Sequence, residues 1–169
     1  SYKYYFNKRI NVFYKQKNVL VIATKLAVAQ NFIRKVKTML EGLPDWLVIS
    51  DITSHTKTQI EFSNGSIIKA VPTSEDAGRS EALSLLIVDE AAFIRDFDEL
   101  WKGLYPTLST GGSAIILSTP SGVGNQFHKL WIDADAGTSD FNPIKLPWHV
   151  HPDRDEKWFE QESRNLTRK

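Results

Sequence analysis

Three short apolar runs, Val19–Ala23, Leu85–Val88 and Ala114–Leu117, constrain this chain more than any other feature. Each is four or five residues long, has no polar alternation, and is too short for a buried helix. Runs of this kind suit parallel strands buried on both faces. The segments between them carry helical periodicity, with Val28, Phe32, Val36 and Met39 over Lys25–Leu40 and a stop at Gly42 and Pro44. A second such pattern runs from Phe97 to Leu108, interrupted near Gly103 and Pro106, and a third from Asn125 to Ala134. Strand and helix therefore alternate, which predicts an α/β domain with a largely parallel sheet covered on both faces.

The remaining stretches complete that reading. Tyr2, Phe6, Ile10 and Phe13, with lysines between them, predict an amphipathic helix over the first seventeen residues. Thr58–Phe62 and Ser66–Val71 flank Asn64-Gly65 and predict a β-hairpin, with Asp51–Lys57 a turn or edge before it. A polar loop holding Gly78 and Arg79 lies between Pro72 and Ala82. Phe141–Leu146 is expected to form a last strand and Asp153–Leu166 a charged final helix. No repeat or low-complexity segment occurs.

At 169 residues, with 41% hydrophobic and 24% charged residues, the chain is long enough for one domain with a real core. No apolar run approaches the roughly 18 residues of a membrane span, so no membrane partner is expected. The absence of cysteine excludes disulfides and thiolate metal sites. The net charge of +1 conceals an asymmetry: residues 1–40 hold nine Lys or Arg and no acid, leaving 12 basic and 20 acidic residues beyond them. A basic segment of this kind could meet nucleic acid or an acidic partner, although a solvated helix face that is simply basic is the plainer reading.

The chemistry concentrates where the apolar runs end. Leu85–Val88 runs straight into Asp89-Glu90, and ligands of open α/β sheets bind at the carboxyl ends of the strands. A carboxylate there can hold Mg²⁺ against phosphates, and the next one can polarise an attacking water. This pattern points to nucleoside-triphosphate hydrolysis, while a buried strand ending in two solvated acids would read the same way. Ala114–Leu117 likewise ends in Ser118-Thr119 before Pro120, hydroxyls suited to sensing a γ-phosphate or to forming a turn. Arg79 could reach phosphate as an arginine finger, or be a solvated loop residue.

A phosphate-binding loop G-x-x-x-x-G-K-[ST] needs Gly followed by Lys, and none of the nine glycines is. Thr24-Lys25 lacks the glycines that wrap phosphate. His149-x-His151 beside Asp153 is expected to be a loop rather than a metal pair. Trp46, Trp101, Trp131, Trp148 and Trp158, scattered over different elements, are expected to pack rather than to stack bases.

As an ordered set these motifs resemble the large terminase subunit of tailed bacteriophages. The resemblance rests on Asp76-Ala-Gly-Arg79-Ser-Glu, on Leu85-Leu-Ile-Val-Asp89-Glu90-Ala-Ala-Phe93-Ile94 and on Ser118-Thr119-Pro120-Ser121-Gly122. Phe127–Trp131, Pro147-Trp148-His149-Val150-His151-Pro152, Trp158-Phe159 and the Asn64-Gly65-Ser66 turn extend it over most of the chain from Val19 onward.

The resemblance implies a P-loop NTPase-type (ASCE, RecA-like) domain with a mostly parallel sheet flanked by helices, a β-hairpin insertion and no Walker A segment. It implies a partial ATPase core over 1–146 and a helical lid or linker over 147–169, leading toward a nuclease domain. The activity implied is that of an ATP-driven motor packaging double-stranded DNA into procapsids. Asp89 takes the magnesium-linked role, Glu90 is the catalytic carboxylate, Arg79 matches a family arginine, and Ser118 and Thr119 contact nucleotide and couple hydrolysis to movement. ATP and Mg²⁺ are the implied cofactors. The implied partners are viral DNA, the portal protein and the small terminase subunit, with a ring oligomer on the portal in the host cytoplasm.

The family's phosphate-binding loop is expected to precede Ser1, which is not an initiator Met, and its nuclease carboxylates to follow Lys169. The isolated 169-residue polypeptide is accordingly expected to show no measurable ATP turnover. A helicase-like nucleic-acid motor shares the acidic strand and hydroxyl segment, and a non-catalytic assembly module is the reading from another class.

Overall fold

The computed structural model describes residues 16–48, 50–73 and 82–166. The helix predicted over the first seventeen residues falls almost wholly outside these, and so does Arg79. The chain divides into two compact units, residues 1–129 and 130–169.

Unit 1 is built on one six-stranded mixed sheet in the order β2-β3-β4-β1-β5-β6. Its strands are β1 (Asn18–Ala23), β2 (Ile52–His55), β3 (Gln59–Phe62), β4 (Ile67–Pro72), β5 (Leu85–Val88) and β6 (Ser113–Ile116). β1 runs parallel to both β4 and β5, and β5 parallel to β6. β3 pairs antiparallel with β4 and with β2, so the hairpin extends the same sheet. The three apolar runs thus become three adjacent parallel strands.

Helix α1 (Leu26–Glu41) comes directly after β1 and ends at Gly42, whose N–H donates to the Thr38 carbonyl. Its Ala29, Phe32, Ile33, Val36 and Leu40 are buried with Val19, Val21, Ile60, Ile68, Leu85 and Ile87 in one core cluster. Strand side chains alternate between faces, so Leu20, Ile22, Leu86 and Val88 point to the other face, where they are also at most 2% exposed. Each such buried side chain contributes about 1.5–3 kcal/mol. β5 is therefore a rigid base for the acidic pair at its end. Helix α2 (Phe97–Leu104) buries Phe97, Leu100, Trp101 and Leu104, then tightens into a 3-10 turn at Tyr105–Leu108, where Pro106 cannot continue an α-helical ladder.

Two glycines fix local geometry. Gly65 in the hairpin has φ +77°, and its N–H donates to the Phe62 carbonyl. The Phe62 N–H in turn donates to the Ser66 carbonyl, so the left-handed glycine closes the hairpin loop. Before β6, a Cβ on Gly112 would collide with the Leu83 carbonyl oxygen. Only glycine allows the chains entering β5 and β6 to approach so closely.

In unit 2 the last predicted strand is absent. Phe141–Leu146 takes no regular structure, and among the described residues no strand pairs with it. Pro143 offers no N–H for a ladder, and Ile144 and Leu146 are 68% and 76% exposed, so the segment has no buried face. Helix α3 (Gln126–Asp135) crosses the boundary between the units, and α4 (Glu156–Leu166) starts three residues later than the charge pattern suggests.

The tryptophans divide. Trp101 is buried, whereas Trp148 stacks on Phe159 with centroids 4.7 Å apart and lies 6.2 Å from Trp158. Arg154 covers the Trp158 ring at 4.5 Å. Trp46 breaks the packing expectation: it stands in a surface 3-10 turn, 80% exposed.

Candidate functional site

The carboxyl ends of β1, β5 and β6 bring together residues 66 and 28 positions apart in the chain. Val88 is paired with Ile22 on one side and Ile116 on the other. Extending those parallel registers by two residues sets Glu90 level with Thr24 and with Ser118. The hydrogen bonds agree. Beyond the strands, the Asp89 N–H donates to the Ile22 carbonyl at 3.1 Å and the Ala91 N–H to the Leu117 carbonyl at 3.0 Å. The Ala92 N–H donates to Ser118 Oγ at 3.1 Å, and Thr24 Oγ1 donates to Glu90 Oε2 at 3.4 Å.

Glu90 itself is left-handed, at φ 54° and ψ 39°. A non-glycine residue there is disfavoured by about 1–2 kcal/mol. The surrounding bonds hold it: Asp89 Oδ1 accepts the Glu90 N–H at 3.1 Å, and the residues on either side are tied to β1 and β6. The reversal turns the chain out of the sheet, leaving Glu90 exposed and Asp89 half-buried one step behind it.

Asp89, Glu90, Ser118 and Thr119 therefore occupy one edge of the sheet. Ser118 Oγ accepts from Ala92 and donates to the Thr119 carbonyl at 2.8 Å, so its hydroxyl fastens the acidic turn to the end of β6. Thr119 is exposed beside it. Arg79 lies outside the described residues. Thr24, which the sequence offers only as part of a Thr24-Lys25 pair lacking phosphate-wrapping glycines, also belongs to this edge. Its signal was its level: once β1 is known to neighbour β5, it stands directly opposite Glu90.

Among the described residues no group of three His, Cys, Asp or Glu gathers to hold a metal ion. Mg²⁺ keeps water and substrate phosphates as ligands and needs one or two carboxylates from the protein. Asp89 and Glu90 are carboxylates that could serve such an ion. His151 Nδ1 accepts the Asp153 N–H at 3.2 Å, a local loop contact. A cavity of about 430 Å³ opens at the opposite edge of unit 1, between Lys17, Ser84 and Gly112. There Asn18 spends its side-chain amide on the Ala82 carbonyl and its backbone N–H on Ser84 Oγ.

The basic residues of the first forty are described from residue 16 onward. On α1, Arg34 and Lys35 are exposed, Arg34 bonds Asn31 at 2.7 Å, and Lys37 reaches both His55 and Glu41.

A family model for the N-terminal part of the terminase large subunit, T4likevirus type, matches residues 4–165. The chain belongs to this family. The ATPase domain of the Thermus phage P74-26 large terminase is similar in structure, with a TM-score of 0.65 at 21% identity over 98% of this chain and 77% of that one. The large terminase of a second, thermophilic bacteriophage, in complex with ADP, gives a TM-score of 0.70 at 12% identity over 95% of this chain. The HK97 bacteriophage large terminase gives 0.67 at 16% identity over 92%. The chain spans 40% and 37% of those two longer terminases. The fold is thus that of terminase ATPase domains: a mixed, RecA-like sheet with flanking helices, in which the hairpin builds one side of the sheet.

Proposed function

We propose that this chain carries part of the hydrolytic site of a motor that packages double-stranded DNA into procapsids. One observation supports this most: Asp89 and Glu90 leave a fully buried parallel strand at its carboxyl end, clamped between two neighbouring strand ends. That placement answers the needs of phosphoryl transfer, where the protein mainly positions charge and water.

In this reading Asp89 holds Mg²⁺, directly or through water, and the ion supplies neutralisation of phosphate charge when nucleotide is bound. Glu90, exposed at the tip of the turn, accepts a proton from the attacking water and orients it toward the γ-phosphate. Ser118 and Thr119 lie on the strand end tied to that turn, so a shift in either strand end is passed to the other. Arg79 is assigned the charge-stabilising role of an arginine finger. The thermophilic phage terminase in complex with ADP supports nucleotide as the ligand. Family membership supports viral DNA, the portal protein and the small terminase subunit as partners, a ring on the portal, and work in the host cytoplasm.

The test is ATP-dependent packaging of double-stranded DNA into procapsids by the intact polypeptide. Glu90→Gln should stop packaging while DNA binding persists. Packaging at the unsubstituted rate would remove Glu90 from the mechanism.

A further inference from the structure

We infer that Thr24 is a positioning residue that orients the Glu90 carboxylate, an inference resting on the catalytic assignment of Glu90 above. The backbone of the acidic turn is fixed by the bonds from Asp89, Glu90, Ala91 and Ala92. What those bonds leave undetermined is the Glu90 side chain, whose freely rotating torsions carry most of its conformational entropy. The Thr24 hydroxyl acts on that remaining freedom, meeting Oε2 at 3.4 Å from the end of the adjacent strand.

Thr24 is well made for this. A β-branched side chain is stiff at χ1, and here it stands immediately after β1, whose residues Val19–Ala23 are at most 2% exposed. The donor is thus anchored to the core while the acceptor sits on an exposed turn. The other role for a threonine before a helix is capping. The cap position of α1 is Lys25, however, one residue further on, and it makes no side-chain cap. The hydroxyl bonds across 66 residues of chain to the carboxylate instead.

The contact draws Glu90 toward β1, while Ser118 draws the next stretch of backbone toward β6. Glu90 is thereby held from both sides, its carboxylate by one strand and its chain by the other. A water to be activated at that carboxylate needs it in one orientation, and misplacement reduces the rate without changing nucleotide affinity.

The experiment compares Thr24→Val, Thr24→Ser and Glu90→Gln in the intact ATPase by steady-state ATP turnover, with thermal unfolding as a control on folding. Valine keeps the shape and removes the donor; serine keeps the donor. Thr24→Val is expected to lower kcat about three- to tenfold, with KM for ATP within about twofold of the unsubstituted protein. Thr24→Ser should recover most of that loss.

Unchanged kcat in Thr24→Val, a rise in KM matching the fall in kcat, or no recovery with serine would each overturn the inference. The Glu90→Gln arm separates the two levels. If it abolishes turnover while Thr24→Val does nothing, only the role of Thr24 falls; if it leaves turnover intact, the assignment of Glu90 falls first.

Discussion

Ser118→Ala removes the acceptor that fastens the acidic turn to β6. In the native protein Ser118 Oγ accepts the Ala92 N–H at 3.1 Å and donates to the Thr119 carbonyl at 2.8 Å. The second bond is exposed, so water replaces it at little cost. The first is part-buried. A fully buried amide left without a partner costs about 1–3 kcal/mol, and a half-buried one belongs at the low end, about 1 kcal/mol. At a urea slope of about 2 kcal/mol/M, that lowers the midpoint by roughly 0.5 M with the slope unchanged. The same loss should raise hydrogen exchange at the Ala92 amide about fivefold, because local opening becomes easier. Urea titration and amide exchange of the unsubstituted and substituted proteins make the comparison. If neither the midpoint nor the Ala92 exchange rate moves, the clamp between the strand ends does not hold the turn.

Packing sets two other expectations. Gly112→Ala puts a methyl group against the Leu83 carbonyl oxygen at the chain entries to β5 and β6; overpacking of that kind costs about 1–3 kcal/mol, seen as a lower urea midpoint. A substitution tolerated without loss would mean that the two chains are not so closely apposed. Ile87→Ala empties a fully buried position in the middle of β5 and should cost about 2–5 kcal/mol in the same titration. A loss under about 1 kcal/mol would show that β5 is not the rigid base described.

The parallel core of the fold was legible because burial on both faces leaves an unmistakable composition. Leu85–Val88 is wholly apolar and sharply bounded, and β5 has those limits. Asn64-Gly65 marked the hairpin, and Gly65 supplies its left-handed turn. Phe141–Leu146 misled because its spacing is apolar while Pro143 and the lack of a pairing strand prevent a ladder. At the site, Asp89, Glu90, Ser118 and Thr119 were visible as polar ends of apolar runs. The bond from Thr24 to Glu90 was not, since strand order and register decide it, and neither is written in local sequence. The left-handed Glu90 backbone was equally hidden, for the turn is imposed by its partners on β1 and β6 rather than by a glycine.

The proposed role of Glu90 is to activate water at a nucleotide site shared with Asp89. Its most direct test measures ATP turnover and ATP binding side by side for the intact polypeptide and its Glu90→Gln variant. Nucleotide affinity is expected to stay within a few-fold of the original and turnover to fall by a factor of about 10² or more, in line with loss of general-base catalysis. Turnover preserved at equal affinity would contradict it.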